Sequence, residues 1–141
     1  MSKIAIVYWS GTGNTEAMAN LVAEGVTAAG GQADLLTPEL FDAGQVGNYT
    51  AFAFGCPSMG AEQLEEAEFE PMFTAIKPSL AGKTIGLFGS YGWGDGEWMR
   101  TWAADCEDAG CDLAAEPVIA CGAPEGDAAE ACRALGRTLA S

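Results

Sequence analysis

KIAIVYWSGTGNTEAM, residues 3–18, is the stretch that decides the fold. Residues 3–9 are apolar almost throughout, which predicts a strand that is buried on both faces. The polar turn 10–15 follows, and apolar residues then recur from Met18 to Val26 at helical spacing. A buried strand, a glycine-containing turn and a helix are the opening of a β-α-β unit, and such units build parallel sheets.

The same alternation continues along the chain. Because right-handed crossovers place helices on both faces of such a sheet, we expect an α/β three-layer sandwich in a single domain spanning residues 1–141. Pro117 indicates an edge position or an interruption in the last strand. Further strands are predicted at 32–36, 51–55, 84–89 and 113–120, and further helices at 69–76, 97–109 and 127–139, with a mixed connection over 38–49.

Composition excludes several function classes. The chain has no histidine, and its five cysteines include no Cys-x-x-Cys pair, so we expect neither a catalytic triad nor a metal site. Twenty acidic residues against six basic ones give a net charge of −14. Such a surface repels nucleic acid and anionic membranes and favours partners with basic docking patches. The polar residues that follow so soon after the N-terminus do not suit a signal peptide, which predicts a cytoplasmic protein.

The first loop has the donors that a phosphate needs. Ser10, Gly11, Thr12, Gly13, Asn14 and Thr15 join a strand to a helix N-terminus, where free N–H groups attract an anion. The lysine of a triphosphatase loop is missing, and Glu16 replaces the third glycine of a dinucleotide fingerprint. A phosphate monoester is the favoured ligand. A dinucleotide site using Asp34 and an ordinary capped turn remain alternatives.

The second and third loops suit a flat ring. Met59 is large and apolar for a loop residue, so it either covers one face of a ligand or packs into the core. Glu62 could accept a hydrogen bond from a ring N–H. Trp93 stands among closely spaced glycines, which favours a displayed indole that stacks on an aromatic ring over a core residue. The candidate residues are Pro57, Ser58, Met59, Gly60 and Glu62 in the second loop, and Ser90, Tyr91, Gly92, Trp93 and Gly94 in the third.

A phosphate loop, a stacking wall and a ring-sensing carboxylate together specify a flat aromatic phosphate monoester, and flavin mononucleotide (FMN) meets these demands. The run VYWSGTGNTE, residues 7–16, resembles the phosphate loop of bacterial flavodoxins. GCPSMG at 55–60 and LFGSYGWGDGEWM at 87–99 are similar to the second and third loops of the short-chain clostridial type. The likeness spans essentially the whole chain.

The resemblance implies a non-covalent FMN protein that is no enzyme. It would be a monomeric, low-potential carrier of single electrons between redox proteins such as reductases and ferredoxin-dependent enzymes. The family's strand order is 2-1-3-4-5, which is known for the family and does not follow from these residues alone. Met59 and Trp93 would sandwich the ring, Glu62 would bind its N3–H, and the carbonyl of Gly60 would turn towards N5 on one-electron reduction.

Two departures from the family pattern stand out. Ala61 occupies a position where a positive φ could be needed, and Cys121-Gly122-Ala123 replaces a polar loop. A flavin-dependent reductase of small molecules and a non-redox sensor remain the alternative functions. Acidic residues near the loops are expected to form the docking rim: Glu62, Glu65, Glu66, Glu68, Glu70, Asp95 and Glu97.

Overall fold

One parallel sheet organises the computed structural model, which describes residues 2–60 and 63–141. Its strand order is β2-β1-β3-β4-β5, with β6 also paired to β4, so the predicted order 2-1-3-4-5 is confirmed. The strands are β1 (Lys3–Tyr8), β2 (Gln32–Leu36), β3 (Ala51–Gly55), β4 (Thr84–Tyr91), β5 (Asp112–Leu113) and β6 (Val118–Cys121). The helices are α1 (Asn14–Ala28), α2 (Phe69–Ile76), α3 (Glu97–Asp108) and α4 (Gly126–Ala140), with 3-10 turns at Pro38–Leu40, Ala43–Asn48 and Lys77–Leu80.

The fifth position of the sheet is divided, whereas the sequence predicted one strand over 113–120. β5 pairs with the start of β4 and β6 with its end. Between them, residues 114–117 stand opposite only residues 86 and 87 of β4, so the edge strand bulges outward. Pro117 has no N–H to donate at this point, which is why the pairing resumes only at Val118.

The end of β4 also departs from the sequence prediction. The strand was expected to stop at Gly89, but it continues to Tyr91 because β6 pairs with it up to the register Tyr91↔Cys121. Ser90 and Tyr91 are therefore strand residues, and the third loop begins at Gly92. Their backbone direction is fixed by the sheet, which matters for the site below.

Helices cover both faces of the sheet, as the strands' apolar faces require. Side chains of β1, β3 and β4 alternate between the two faces, so each strand contributes to both cores. Helices α2 and α3 cover one face with large aromatic residues, among them Phe69, Phe73 and Trp102. Helices α1 and α4 cover the other face with smaller residues such as Ala19, Val22 and Cys132.

Two glycines let α1 and α4 touch backbone to backbone. A Cβ at Gly25 would lie 1.9 Å from the Arg133 carbonyl oxygen, and one at Gly136 would lie 2.0 Å from the Val22 carbonyl oxygen. This contact fixes α1, whose N-terminus carries the first loop. Among the described residues, no helix is long and apolar enough to span a membrane.

Gly136→Ala should destabilise the protein. Alanine favours a helix over glycine by about 1 kcal/mol, but here its Cβ meets the Val22 carbonyl and must push α1 and α4 apart. We expect a net loss of about 1–3 kcal/mol in the free energy of unfolding, measured by urea denaturation. The control is Gly47→Ala, where a Cβ meets nothing within 4 Å and the expected change is small. Equal stability of both variants would contradict the backbone contact.

Candidate functional site

The three loops meet at the carboxyl edge of the sheet around a cavity of about 320 Å³. The loop after β1 contributes one wall, the loop after β3 a second, and the end of β4 with the turn after β6 a third. The strand order reverses between β1 and β3, and ligands of such folds usually bind at the carboxyl edge beside this reversal. The lining residues are Trp9, Ser10, Gly11, Thr12, Asn14, Thr15, Pro57, Ser58, Met59, Ser90, Tyr91, Gly92 and Gly122.

Ser10 organises the first loop from within. Its Oγ accepts the backbone N–H of Gly13 at 3.1 Å and that of Glu16 at 3.2 Å. Gly13 precedes α1 with a φ of 98°, a conformation that glycine adopts without strain. The loop therefore curls over the helix N-terminus, where the remaining N–H groups and the helix dipole favour an anion.

Thr15 connects this loop to the central strands. It is only 1% exposed, and its Oγ1 accepts the backbone N–H of Ser90 at 3.4 Å. The end of β4 is thereby tied to the first turn of α1. The phosphate loop and the third wall of the cavity consequently hold a fixed distance from each other.

Hydrogen bonds also hold the second loop against β4. Cys56 donates its N–H to the Phe88 carbonyl at 3.1 Å, and Ser58 donates its N–H to the Ser90 carbonyl at 3.0 Å. The indole N–H of Trp98 reaches the Cys56 carbonyl at 3.1 Å. The loop therefore continues the direction of β3 past the strand's end and places Pro57, Ser58 and Met59 in the cavity lining.

The tip of the second loop is closed by a pair of backbone hydrogen bonds. Met59 and Gln63 exchange N–H···O bonds of 2.9 and 3.1 Å. Met59 is partly buried and lines the cavity, so it is not tucked into either core. The expectations for Ala61 and Glu62 concern positions outside the described residues.

Glu65 is a buried carboxylate, which corrects its assignment to the exposed docking rim. It is 6% exposed, and its oxygens accept the backbone N–H groups of Ala67, Glu68 and Phe69, each at 2.8 Å. Burial alone would raise its pKa, but these donors hold the pKa below the usual value. Glu65 is therefore ionised and committed to capping α2, and it is not available to a partner.

Trp93 is displayed, as its glycine neighbours predicted. The side chain is 64% exposed, and Gly94 after it has a φ of 88°. Neither residue lines the cavity as it stands, although both directly follow Gly92, which does. The indole is thus a free aromatic surface at the rim and not a core residue.

Most of the predicted binding residues come together. The cavity lining includes eleven of them: Ser10, Gly11, Thr12, Asn14, Thr15, Pro57, Ser58, Met59, Ser90, Tyr91 and Gly92. The structure places Gly13, Gly60, Trp93 and Gly94 on the same loops but outside the lining.

Trp9 and Gly122 were missed as lining residues. The indole N–H of Trp9 donates to Glu68 Oε1 at 3.1 Å, and its ring lies against Gly11, where a Cβ would be 3.1 Å from it. Gly122 donates its N–H to the Tyr91 carbonyl at 2.9 Å and has a φ of 76°. An aromatic residue directly before a phosphate-type loop was the available signal for Trp9.

The cavity offers neutral donors and aromatic surface. Five hydroxyl side chains of serine and threonine line it, at residues 10, 12, 15, 58 and 90, and none of the described lining residues is charged. A phosphate would therefore be held by hydroxyls, backbone N–H groups and the helix dipole. Trp9, Tyr91 and Met59 supply the apolar surface that a flat ring requires.

Four of the five cysteines are buried and unreactive. Burial raises the pKa of Cys56, Cys106 and Cys132 to about 12 and also raises that of Cys111. These thiols stay protonated at neutral pH, and the thiolate is the nucleophilic and metal-binding form. In the described part of the chain, no group of three or more potential metal-binding side chains occurs.

A doubly wound parallel sheet with a cavity at its carboxyl edge, lined by hydroxyl and aromatic side chains beside a helix N-terminus, is typical of a mononucleotide-binding protein. The sequence model of the flavodoxin family matches residues 6–136. The chain is 44% identical to the flavodoxin of Megasphaera elsdenii over 97% of this chain and 98% of that protein. It is 40% identical to the flavodoxin of Clostridium beijerinckii over 96% and 98%.

The solved structures agree with the sequence comparison. The solution structure of two-electron reduced M. elsdenii flavodoxin superposes with a TM-score of 0.90 at 45% identity, covering 97% of this chain and 98% of that one. The chain belongs to the flavodoxin family. It is accordingly an FMN-binding electron-transfer protein whose partners are redox proteins, and it is not an enzyme.

Removal of the Ser10 hydroxyl should loosen the first loop. In Ser10→Ala, the N–H groups of Gly13 and Glu16 lose their acceptor, as in the loss of a helix cap. We expect the free energy of unfolding of the FMN-free protein to fall by about 0.5–2 kcal/mol. Ser10→Thr keeps the hydroxyl and should recover most of the loss. Denaturation curves that are identical for Ser10→Ala and the wild type would refute the internal cap.

Proposed function

We propose that the cavity at the carboxyl edge binds FMN with its phosphate on the first loop and its ring between the second and third loops. This proposal is carried by the distribution of groups within the lining: three of the five serine and threonine hydroxyls and a helix N-terminus lie at one wall, and Met59 and Tyr91 lie at the others. The volume of about 320 Å³ falls within the range of small-molecule sites. The donor set fits a phosphate monoester without a counter-cation.

Each loop has a separate part in this proposal. Ser10 to Thr15 hold the phosphate, and Met59 with Trp93 cover the two faces of the ring. The backbone from Ser90 at the end of β4 to Gly94 in the third loop binds the pyrimidine edge. Glu62 accepts the ring N3–H, and Gly60 offers its carbonyl near N5. The exposure of the Trp93 indole supports its role as a wall that a ring completes.

The bound flavin supplies the redox chemistry, and the protein sets its energy. Met59 and Trp93 would place apolar side chains against the ring, and the chain carries a net charge of −14. Both features disfavour additional negative charge on the ring. We therefore propose a low-potential, one-electron carrier. Closure of one ring face by Trp93 supports the carrier over a reductase that needs room for a substrate.

Trp93→Ala should weaken FMN binding. The stacked pair contributes about 0.5–1.5 kcal/mol beyond area burial, and lost area adds to this, so we expect the dissociation constant to rise about tenfold or more. Quenching of flavin fluorescence on titration with the FMN-free protein measures it. Trp93→Phe, which retains a ring, should lose less.

Two outcomes of this titration would contradict the proposal. A wild-type protein that takes up no FMN would refute the site as a whole. Equal affinities of the wild type and Trp93→Ala would refute the stacking wall alone.

Stepwise reduction of the FMN-loaded wild type, followed by its visible spectrum, should show two separate one-electron steps. A single two-electron step would favour the reductase.

We propose further that partner proteins use basic patches on their own surfaces to dock on the acidic rim beside the second and third loops. Glu66, Glu68 and Glu70 are exposed between the second loop and the first turn of α2, and Glu68 contacts the lining residue Trp9. The Asp95 side chain is 77% exposed although it pairs with Arg100 at 3.1 Å. Complementary charge accelerates encounter and loses its effect with salt. Glu65, being buried, has no part in this rim.

Neutralising this rim should change the salt dependence of electron transfer. We expect Glu66→Gln/Glu70→Gln to reduce a basic cytochrome more slowly at low salt, with a shallower dependence of the rate constant on ionic strength. The matched control is Glu107→Gln/Asp108→Asn, which removes the same charge at the exposed end of α3. Equal slopes for both double variants in stopped-flow measurements would show that only net charge matters.

We propose that residues 1–141 act as one domain and as a monomer. The single sheet and its two helical layers support the first point. A cytoplasmic location is supported by the five free thiols, since disulfides are rare in that reducing compartment.

A further inference from the structure

We propose that Glu65 is a positioning residue for the flavin: its buried carboxylate anchors the second loop, and the anchor sets how the loop's backbone responds to the redox state of the ring. The inference rests on the proposed placement of the ring beside Met59 and Gly60. It concerns a residue that lies outside the cavity lining and acts through the loop.

Glu65 joins the two ends of the second loop. Its N–H donates to Cys56 Sγ at 3.3 Å, and Cys56 is the residue at which the chain leaves β3. Its carbonyl accepts the N–H of Glu70 at 2.9 Å in the first turn of α2. One residue thus connects the start of the loop to the helix that follows it.

Keeping a carboxylate there has a cost. A 6% exposed carboxylate is unfavourable unless its oxygens are satisfied. Oε1 accepts the N–H groups of Glu68 and Phe69, and Oε2 accepts that of Ala67. Three donors from consecutive residues leave the side chain a single orientation. The turn between the loop and α2 is therefore fixed by one charged group.

This anchor is linked to the cavity. From Glu65 the chain returns through Leu64 to Gln63, which is bonded to Met59 by two backbone hydrogen bonds. On the other side, Ser58 is bonded to Ser90 of β4. Met59 is thus held by the sheet, through its neighbour Ser58, and Gln63 is held through Glu65. Releasing Glu65 would free Gln63 while the sheet still held Met59.

Protonation of the Glu65 carboxylate should weaken the anchor. The folded-state pKa of Glu65 lies below its ordinary value. The stabilisation by the charged anchor is therefore complete above the unfolded-state pKa and is lost as the pH falls through the folded-state pKa. At neutral pH the anchor is closed.

Three variants separate position from charge. Glu65→Gln removes the charge and replaces one accepting oxygen by a donor that faces an N–H group. Glu65→Asp keeps the charge but is one methylene too short to reach the same donors. Glu107→Gln is the control, since it removes one charge from an exposed residue at the end of α3, outside the cavity lining and the docking rim.

Hydrogen exchange of the FMN-free protein is the first measurement. In both Glu65 variants we expect at least tenfold lower protection at the amides of Ala67, Phe69 and Gln63, with unchanged protection in β1 and β4. The Glu107→Gln variant should match the wild type. Retained protection at Gln63, or a loss of protection throughout the sheet in both Glu65 variants, would overturn the proposal, because Glu65 would then be a local cap or a general stability residue.

The potentials of the FMN-loaded variants are the second measurement. We expect the two one-electron steps to approach each other in both Glu65 variants by about a tenfold change in their equilibrium ratio, or about 59 mV. Glu107→Gln should leave the separation of the two steps unchanged. An unchanged separation in Glu65→Asp would overturn the positioning role in favour of charge. Failure of the wild type to bind FMN would refute the proposed function, while hydrogen exchange would still decide whether Glu65 anchors the loop.

Discussion

No side chain fits at two positions where the carboxyl ends of β3 and β4 meet. At each position it would overlap either the neighbouring strand or the loop that follows β3. A Cβ at Gly89 would lie 2.2 Å from the Cys56 carbonyl oxygen, and one at Gly55 would lie 2.1 Å from the ring of Phe88. The loop after β3 must therefore continue along β4. There the Trp98 indole N–H donates to the Cys56 carbonyl, and the Ser90 carbonyl accepts the N–H of Ser58. The position of Met59, and with it one wall of the cavity, depends on this contact.

In the proposed site, the first loop would hold an anion without a cation. None of the described lining residues is charged, while Glu16, Glu39 and Glu68 line the neighbouring pocket. Fixed dipoles can do this because they are already oriented, so binding requires little rearrangement. Ser10 and Thr15 supply that orientation by bonding to backbone N–H groups of the loop and of β4.

Local patterns were sufficient to predict the order of elements, the three loops and most of the lining. Apolar strands and glycine-containing turns carry this information in contiguous residues. The division of the fifth strand was not predicted beyond the hint of Pro117, because the register of an edge strand is set by its neighbour. The same pairing made Ser90 and Tyr91 strand residues. The burial of Glu65 was also missed, since one glutamate among several acidic neighbours shows nothing in sequence of the three N–H groups that surround it.

The glycine contact between α1 and α4 also constrains how this sequence can change. Positions 25 and 136 each face a carbonyl oxygen of the other helix at a distance that excludes any side chain. A substitution at one cannot be compensated by a smaller residue opposite, because the opposing atoms belong to the backbone. These two positions therefore tolerate less variation than the exposed faces of the two helices, and a library of variants should retain glycine at both.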